Sequence, residues 1–442
     1  MLLHPVRFLV IGYFLITFLG AFLLSLPFST TTGESQNILD SFFTASSGIS
    51  TTGLVVVDTG TYYSFFGQII LLIIFQIGGI GYMTVIVVFV FSTGNKTSLR
   101  LGQIAVNSIS GANIHFLGRF FAFVVIFTLV CEAVGAMLLA FEFSRTLPLG
   151  EAVYSGIFHS VSAFCTAGFS LNSNSFMDYR DNLLVNMTIN TLSIAGAVGF
   201  IVLFEIFLHA IPCKIKKIKY KFSLHLKLVF LATPLIIILA ALIILFSEQW
   251  DPSTALGWRI NASFFQAISA STTDGFNTMD IGVMSKPGIF TFLPLMFIGA
   301  SPGSTGGGIK LTTFVVILVF LFHHIRGNDN RLVIFKRQIG VQTVIKAFSV
   351  FFWFCLIIFI DILVLLAVET VRFDQIVFEV FSAMGNTGLS MGITGGLNPL
   401  SKLLLTATMF IGRVGPLAFG LTFVAGKKIL SYGYPEEDVF VA

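Results

Sequence analysis

The sequence predicts an all-α polytopic membrane protein. It is built from four M1–pore loop–M2 repeats, giving eight transmembrane helices and four re-entrant pore helices around a central pseudo-fourfold pore. Three observations predict this. Hydrophobic residues make up 55% of the 442-residue chain and charged residues 10%, whereas soluble domains carry about 25% charged residues. Long apolar runs recur at 8–26, 68–91, 120–141, 183–208, 226–246 and 347–368, and about 20 apolar residues suffice for a spanning helix. One short pattern occurs four times: Phe, three residues, Ser, a small residue, two more, Thr or Asn, any residue, Gly, then Leu or Phe. Its glycines, Gly53, Gly168, Gly275 and Gly388, lie 115, 107 and 113 residues apart. That spacing makes the chain a fourfold internal repeat.

Each quarter has the same order of elements. In the first, a helix over 6–26 precedes a short segment at 36–49 and a second helix at 64–91. The apolar run from Phe8 is long for a cleaved signal and occupies the first-helix place of the repeat, so it is read as retained. The second quarter has 116–141, 151–164 and 182–209, and the third 226–246, 258–271 and 287–322. The fourth has 344–368, 372–384 and 399–425. These divide the chain into repeats at 1–92, 93–210, 211–325 and 326–442, the last ending in a cytoplasmic tail. The middle segments are too short to span and must be re-entrant. Backbone of that kind is tolerated at depth only where it is buried in protein or lines an aqueous cavity.

Charge sets the orientation. Of the 25 basic residues, 17 fall in Arg7, the 96–119, 214–227 and 326–346 connections and Lys427–Lys428, against six on the loop-bearing side. The basic side is cytoplasmic, so both termini are cytoplasmic and the loops enter from outside. The outer side holds 14 of the 21 acidic residues. Such an excess either concentrates cations at a vestibule or follows simply from excluding Lys and Arg. No connection between quarters is long enough for a fused soluble domain. Cys131, Cys165, Cys213 and Cys355 show no paired or metal-ligand spacing, and the adjacent His323 and His324 do not make a metal site.

The four motif ends read Thr51-Thr52-Gly53, Thr166-Ala167-Gly168, Thr273-Asp274-Gly275 and Asn386-Thr387-Gly388. Backbone carbonyls there can replace the hydration shell of a cation such as K+. Glycine permits the dihedrals this needs, and the C-terminal dipole of each preceding helix favours a cation. Ser47, Ser162, Ser269 and Ser382 are expected to brace the loops. Each strand has one glycine, which predicts fewer ion sites and looser selectivity than a TVGYG filter. The side chain of Asp274 could coordinate an ion, narrow the mouth, pair outward with neighbouring backbone, or turn behind the strand.

The helix at 287–322 cannot be continuous. Its middle, Gly299 to Gly308, contains Pro302 and clustered glycines. A flexible polar loop is therefore inserted below the filter, a candidate gate at Ser301, Pro302, Gly303, Ser304, Thr305, Gly306, Gly307 and Gly308. Ile309 stands where a Walker A motif needs Lys, which excludes nucleotide binding. Lys310 follows the loop and is placed to snorkel towards the cytoplasm. Among the aligned positions Gly79, Gly196, Ala300 and Arg413, only the fourth is charged. Arg413 either faces the cavity, where it bonds the loop or repels cations, or pairs with Glu132, Glu205 or Asp361.

These repeats, with Gln76-Ile-Gly-Gly-Ile-Gly81, the Ser301–Lys310 loop and Arg413, resemble the Trk/Ktr/HKT superfamily of potassium transporters over almost the whole chain. The bacterial KtrB-type membrane subunit is the most similar branch. The resemblance implies potassium uptake across the bacterial cell membrane, a homodimer, and control by a cytosolic KtrA-like (RCK-type) ring that would carry any ATP or ADP. Glycine at all four filter positions goes with potassium preference in that superfamily. An alternative is a cation-coupled secondary transporter for another monovalent cation, Na+, but its repeats would normally be two inverted halves. An intramembrane enzyme would need a catalytic set, and His159 beside Ser160 has no partner acid at a matching depth.

Overall fold

The computed structural model describes residues 5–81, 114–210, 222–327 and 332–416. The first quarter contains α1 (Pro5–Ser25), α2 (Ile38–Ile49), the one-turn α3 (Thr59–Tyr62) and α4 (Phe65–Ile80). The second contains α5 (Ile114–Phe143), α6 (Leu149–Phe164), α7 (Leu183–Ala197) and α8 (Phe200–Ala210). The third contains α9 (Leu224–Ser247), α10 (Leu256–Thr272), α11 (Lys286–Ile298) and α12 (Leu311–Ile325). A hairpin of β1 (Leu332–Ile334) and β2 (Arg337–Ile339) leads to α13 (Val341–Val368), α14 (Phe373–Gly385) and α15 (Pro399–Val414). The Lys96 and Arg100 connection, Lys214 to Lys221 with Cys213, Arg331 and Lys427–Lys428 lie outside the described residues, as do 82–91 and 417–425 of the expected second helices.

Helix starts follow local chemistry. Asn37, Asn182, Ser223 and Ser285 each accept a hydrogen bond from a backbone N–H of the first turn of the helix they precede, which satisfies a donor the helix cannot. The short helices α2, α6, α10 and α14 match the expected re-entrant segments to within two residues. Their last turns are buried, for example Ser47, Gly48 and Ile49 in α2. They are flanked by outer helices that present apolar faces to lipid: Phe14, Leu15 and Phe18 of α1 are exposed, as are Leu231, Leu235 and Leu239 of α9.

First and second helices of the quarters differ in continuity. Spans of 26, 24 and 28 residues in α5, α9 and α13 are long and apolar enough to cross a membrane alone. The second helices are shorter among the described residues. The expected break in the third quarter separates α11 from α12 by residues 299–310. The second quarter departs from expectation: 182–209 is not one helix but two, α7 and α8, bent by 95°. The bend falls at Gly199, whose φ is +98°. Helices α4 and α15 likewise end on glycines of positive φ, Gly81 at +82° and Gly415 at +88°. So all four second helices stop within a few residues of the aligned Ile77, Ile194, Ile298 and Ile411.

Candidate functional site: a ring of four strands over a crossing loop

At or one residue past the cap of each short helix, one residue takes a left-handed conformation. Thr51, Thr166, Thr273 and Asn386 have φ of 52°, 51°, 58° and 52°. Each costs on the order of 1 kcal/mol and persists only where its surroundings fix it. Here the same pair of bonds fixes it four times. The amides of Thr51, Thr166, Thr273 and Asn386 donate to Gly48, Ala163, Ala270 and Ala383 at 3.1, 3.1, 3.4 and 3.2 Å. The next amides, of Thr52, Ala167, Asp274 and Thr387, donate to the carbonyls of Ser47, Ser162, Ser269 and Ser382 at 2.8, 2.8, 2.9 and 2.9 Å. This is a Schellman-like helix end.

Two residues beyond the left-handed residue comes a glycine of positive φ: Gly53 at 90°, Gly168 at 69°, Gly275 at 88° and Gly388 at 85°. The intervening residue has ordinary negative φ. In a regular strand successive carbonyls face opposite ways; these three residues, with φ alternating in sign, are not a regular strand.

The four glycines close a ring. A Cβ on Gly53 would lie 2.6 Å from the carbonyl oxygen of Ala167 and 3.2 Å from Cα of Gly168. One on Gly168 would collide with the carbonyl of Asp274, one on Gly275 with that of Thr387, and one on Gly388 with that of Thr52. The order 53, 168, 275, 388 returns to its start. The residues expected from the sequence therefore meet, and any side chain at the glycines would intrude among backbone carbonyls.

The bracing serines are less uniform than their spacing suggests. Ser47 Oγ accepts from Gly53 N at 3.1 Å, and Ser162 Oγ and Ser269 Oγ donate to the carbonyls of Phe169 and Phe276 at 2.8 and 2.6 Å. Ser382 Oγ is buried with no hydrogen-bond partner among the described residues, so the fourth loop lacks that side-chain brace. Of the orientations open to Asp274, the carboxyl takes the one behind the strand, where Ser193 Oγ donates to it.

Above the glycines is an open cavity of about 440 Å³ whose floor includes all four. Among the acidic residues of this side, Asp58 lines it. Burial pushes the Asp58 carboxyl up, but hydrogen bonds from Ser173 and Thr61 outweigh this and hold it below the usual carboxylate value. It is thus ionised at neutral pH. The other outer acids do not line this cavity; Glu248, for example, accepts from Ser285 Oγ at 2.7 Å, and Asp40 pairs with Lys402 at 2.8 Å.

Below the glycines, the loop between α11 and α12 reaches the first residue of every strand. Thr51 Oγ1 lies 3.2 Å from the carbonyl oxygen of Thr305, and Thr166 Oγ1 lies 3.2 Å from Thr305 Oγ1. Gly307 N donates to Thr273 Oγ1 at 2.8 Å. A Cβ on Gly307 would sit 3.0 Å from Asn386 Oδ1. The loop is not slack. The amides of Ser301 and Thr305 donate to the carbonyls of Ala197 and Gly196 at 3.1 Å each, and Phe200 N donates to the carbonyl of Gly303 at 2.9 Å. Hence the bend between α7 and α8: the polar groups freed there are satisfied by the loop, as buried backbone requires.

Arg413 takes the cavity-facing alternative. It donates through Nη1 to the carbonyl of Thr305 and through Nη2 to that of Gly78. The acids offered as partners are engaged elsewhere: Glu132 with Gln76 at 2.9 Å, Asp361 with Thr408 at 2.6 Å and Glu205 with Ser223 at 2.6 Å. Lys310 contradicts expectation. It does not snorkel but folds back, donating to the carbonyls of Gly306 at 2.5 Å and Gly307 at 3.2 Å. Loop carbonyls with no helical partner attract the ammonium more than distant water does. Cys165, which the sequence places in the second repeat loop without paired or metal-ligand spacing, packs between Gln76 and Glu132 with Sγ 3.6 and 3.8 Å from their oxygens.

Residues 7–430 match the family model of TrkH, a cation transport protein. The chain is 38% identical to the Ktr system potassium uptake protein B of Bacillus subtilis over 442 aligned residues, covering 99% of this chain and 96% of the relative. It is 31% identical to the potassium/sodium uptake protein NtpJ of Enterococcus hirae, covering 99% and 97%. Its structure resembles the crystal structure of the potassium transporter TrkH from Vibrio parahaemolyticus with a TM-score of 0.72 at 20% identity, covering 94% of this chain and 83% of the other.

Proposed function

The chain belongs to the family of TrkH cation transport proteins, and from that premise we propose that it is a potassium uptake protein of the Ktr type. One pathway runs down the axis of the four strands. The observation that carries this reading is the closed ring of Gly53, Gly168, Gly275 and Gly388, each at positive φ against the carbonyl of the next strand. Such a ring offers a cation backbone oxygen in place of water.

Thr51–Gly53, Thr166–Gly168, Thr273–Gly275 and Asn386–Gly388 form the selectivity filter, with K+ held by their carbonyls. Residues Ser301–Gly308 are the gate. They lie across the lower mouth, and Lys310 and Arg413 hold them there through the carbonyls of Thr305, Gly306 and Gly307. The four repeats at 1–92, 93–210, 211–325 and 326–442 each supply one strand. The protein is a multi-pass component of the bacterial cell membrane with cytoplasmic termini, works as a homodimer, and is not an enzyme. A cytosolic nucleotide-binding ring of KtrA type controls the gate. These last features rest on the resemblance to Ktr systems. Sodium has a place in a second reading, favoured by the potassium/sodium name of the Enterococcus relative: Na+ accompanies or replaces K+ on the same path.

The test is cation flux into proteoliposomes containing only this chain. The reading expects rubidium and potassium to enter along their gradients and sodium to enter far more slowly. Sodium entering as fast as potassium favours the second reading; no cation flux in liposomes with correctly inserted protein overturns both.

A further inference from the structure

The filter glycines are followed, two residues on, by Val55, Ser170, Asn277 and Ser390. All four line the outer cavity. The two serines are held in the same way, by devices absent from the other two quarters. Each serine oxygen accepts from an amide two residues ahead: Asn172 N to Ser170 Oγ at 3.0 Å and Gly392 N to Ser390 Oγ at 2.9 Å. Each also meets a fully buried side chain placed immediately after the motif phenylalanine, His159 or Glu379. Ser170 Oγ lies 3.0 Å from His159 Nε2, and Ser390 Oγ donates to Glu379 Oε2 at 2.9 Å. Thr394 Oγ1 donates to the other oxygen of Glu379.

The direction of these bonds matters. His159 Nδ1 lies 2.8 Å from the carbonyl oxygen of Ser155, which can only accept, so Nδ1 carries the hydrogen. Nε2 accepts from Leu171 N at 3.2 Å and therefore carries none. The Ser170 hydroxyl can then only donate to His159, sharing the single Nε2 lone pair with Leu171 N, as the Ser390 hydroxyl donates to Glu379. In both, the hydrogen is drawn behind the loop and oxygen lone-pair density is left for the cavity. Where the other quarters carry this residue, Thr44 bonds back into its own helix at Asp40 O, 2.9 Å away, and Gln266 Nε2 reaches the carbonyl of Met279 at 3.5 Å.

We infer that Ser170 and Ser390, polarised by His159 and Glu379, form a further site for a monovalent cation directly outside the filter, where an entering ion exchanges part of its water for hydroxyl oxygen. The ring order 53, 168, 275, 388 puts the second and fourth quarters opposite each other, so the two serines face across the mouth. His159 and Glu379 are positioning residues: they set which atom each hydroxyl presents. The inference rests on the proposed uptake function.

The test is the concentration dependence of rubidium uptake by vesicles carrying the full-length chain, with inserted protein quantified. Ser390→Ala should raise the half-saturating rubidium concentration about fivefold, the effect of losing one modest ligand contact, and Ser170→Ala should do likewise. The effect should be carried by half-saturation rather than by maximal rate. Ser390→Thr, which keeps the hydroxyl, should restore the parent value. Glu379→Gln must donate an N–H towards one of its two hydroxyls and should shift half-saturation in the same direction as Ser390→Ala. Unchanged half-saturation in both alanine variants, or a loss of maximal rate alone, overturns the inference while leaving the uptake function standing. A parent chain that takes up no rubidium overturns both.

Discussion

In the ring, one three-residue device is used four times; one layer lower, no two quarters do the same thing. The ring residues share a left-handed first position, a glycine of positive φ and the same two capping bonds. Beneath them the first quarter supplies the Gly78 carbonyl, the second a bent helix, the third a crossing loop and the fourth an arginine. On the proposed function, the difference teaches how the two layers divide their work. Surrounding a spherical ion equally needs equivalent oxygens from every side. Obstructing a path and releasing it needs one part that moves against others that hold it, which equivalence would forbid.

The largest effects should come from spoiling the ring. Gly53→Ser and Gly168→Ser force a side chain among carbonyls that cannot yield. Each should reduce the potassium-to-sodium uptake ratio by roughly tenfold or more, since about 1.4 kcal/mol is a factor of ten. Equal damage at both positions sharpens the claim of equivalence; an unchanged ratio in both breaks it. Next is the layer below. Arg413→Ala removes two charge-assisted bonds that tie α15 to the loop at Thr305 and to α4 at Gly78, and flux under non-activating conditions should rise about tenfold, within the range of ordinary coupling energies. Shortening 301–308 should act in the same direction. Lys310→Met, which loses the clip on Gly306 and Gly307, should raise flux by a smaller factor, about threefold. If these variants insert normally but transport no faster, the loop is not an obstruction.

The smallest effect separates the four members of the ring from one another. Ser47→Ala, Ser162→Ala and Ser269→Ala each break a hydrogen bond within the loop and should cost about 1 kcal/mol of thermal stability in detergent. Ser382→Ala removes a hydroxyl with no partner among the described residues and should cost less than about 0.5 kcal/mol. A cost at Ser382 matching the other three would show that the equivalence extends to the braces.

Much of the ring was legible in the sequence because its geometry depends on glycine at a fixed place and on a helix of fixed length before it. The break at 299–310 was legible for the same reason, from Pro302 and the glycines. What escaped is structure imposed from elsewhere in the chain. The apolar run around the bend carries Gly196 and Gly199 but no proline, and it bends because the loop a hundred residues on takes its hydrogen bonds. Lys310 reads as a residue bound for water until the carbonyls of Gly306 and Gly307 are seen beside it. The hairpin at 332–339 turns on Phe335 and Lys336, with φ of 49° and 60°, in place of the Asn-Gly or Gly-Gly that signals such a turn. Pairing of Leu332 with Ile339 and Ile334 with Arg337 holds it. Ser170 and Ser390 carry no signal as single residues; their shared eleven-residue distance from His159 and Glu379 becomes meaningful only once the bonds are seen.

The most direct test of the division between the layers measures two quantities in the same vesicles: the potassium-to-sodium uptake ratio and the absolute potassium flux, for Gly53→Ser and for Arg413→Ala. The account predicts that Gly53→Ser lowers the ratio, while Arg413→Ala raises the flux and leaves the ratio at the parent value. A fall in the ratio for Arg413→Ala as large as that for Gly53→Ser would contradict it, because selection and obstruction would then reside in one structure rather than two.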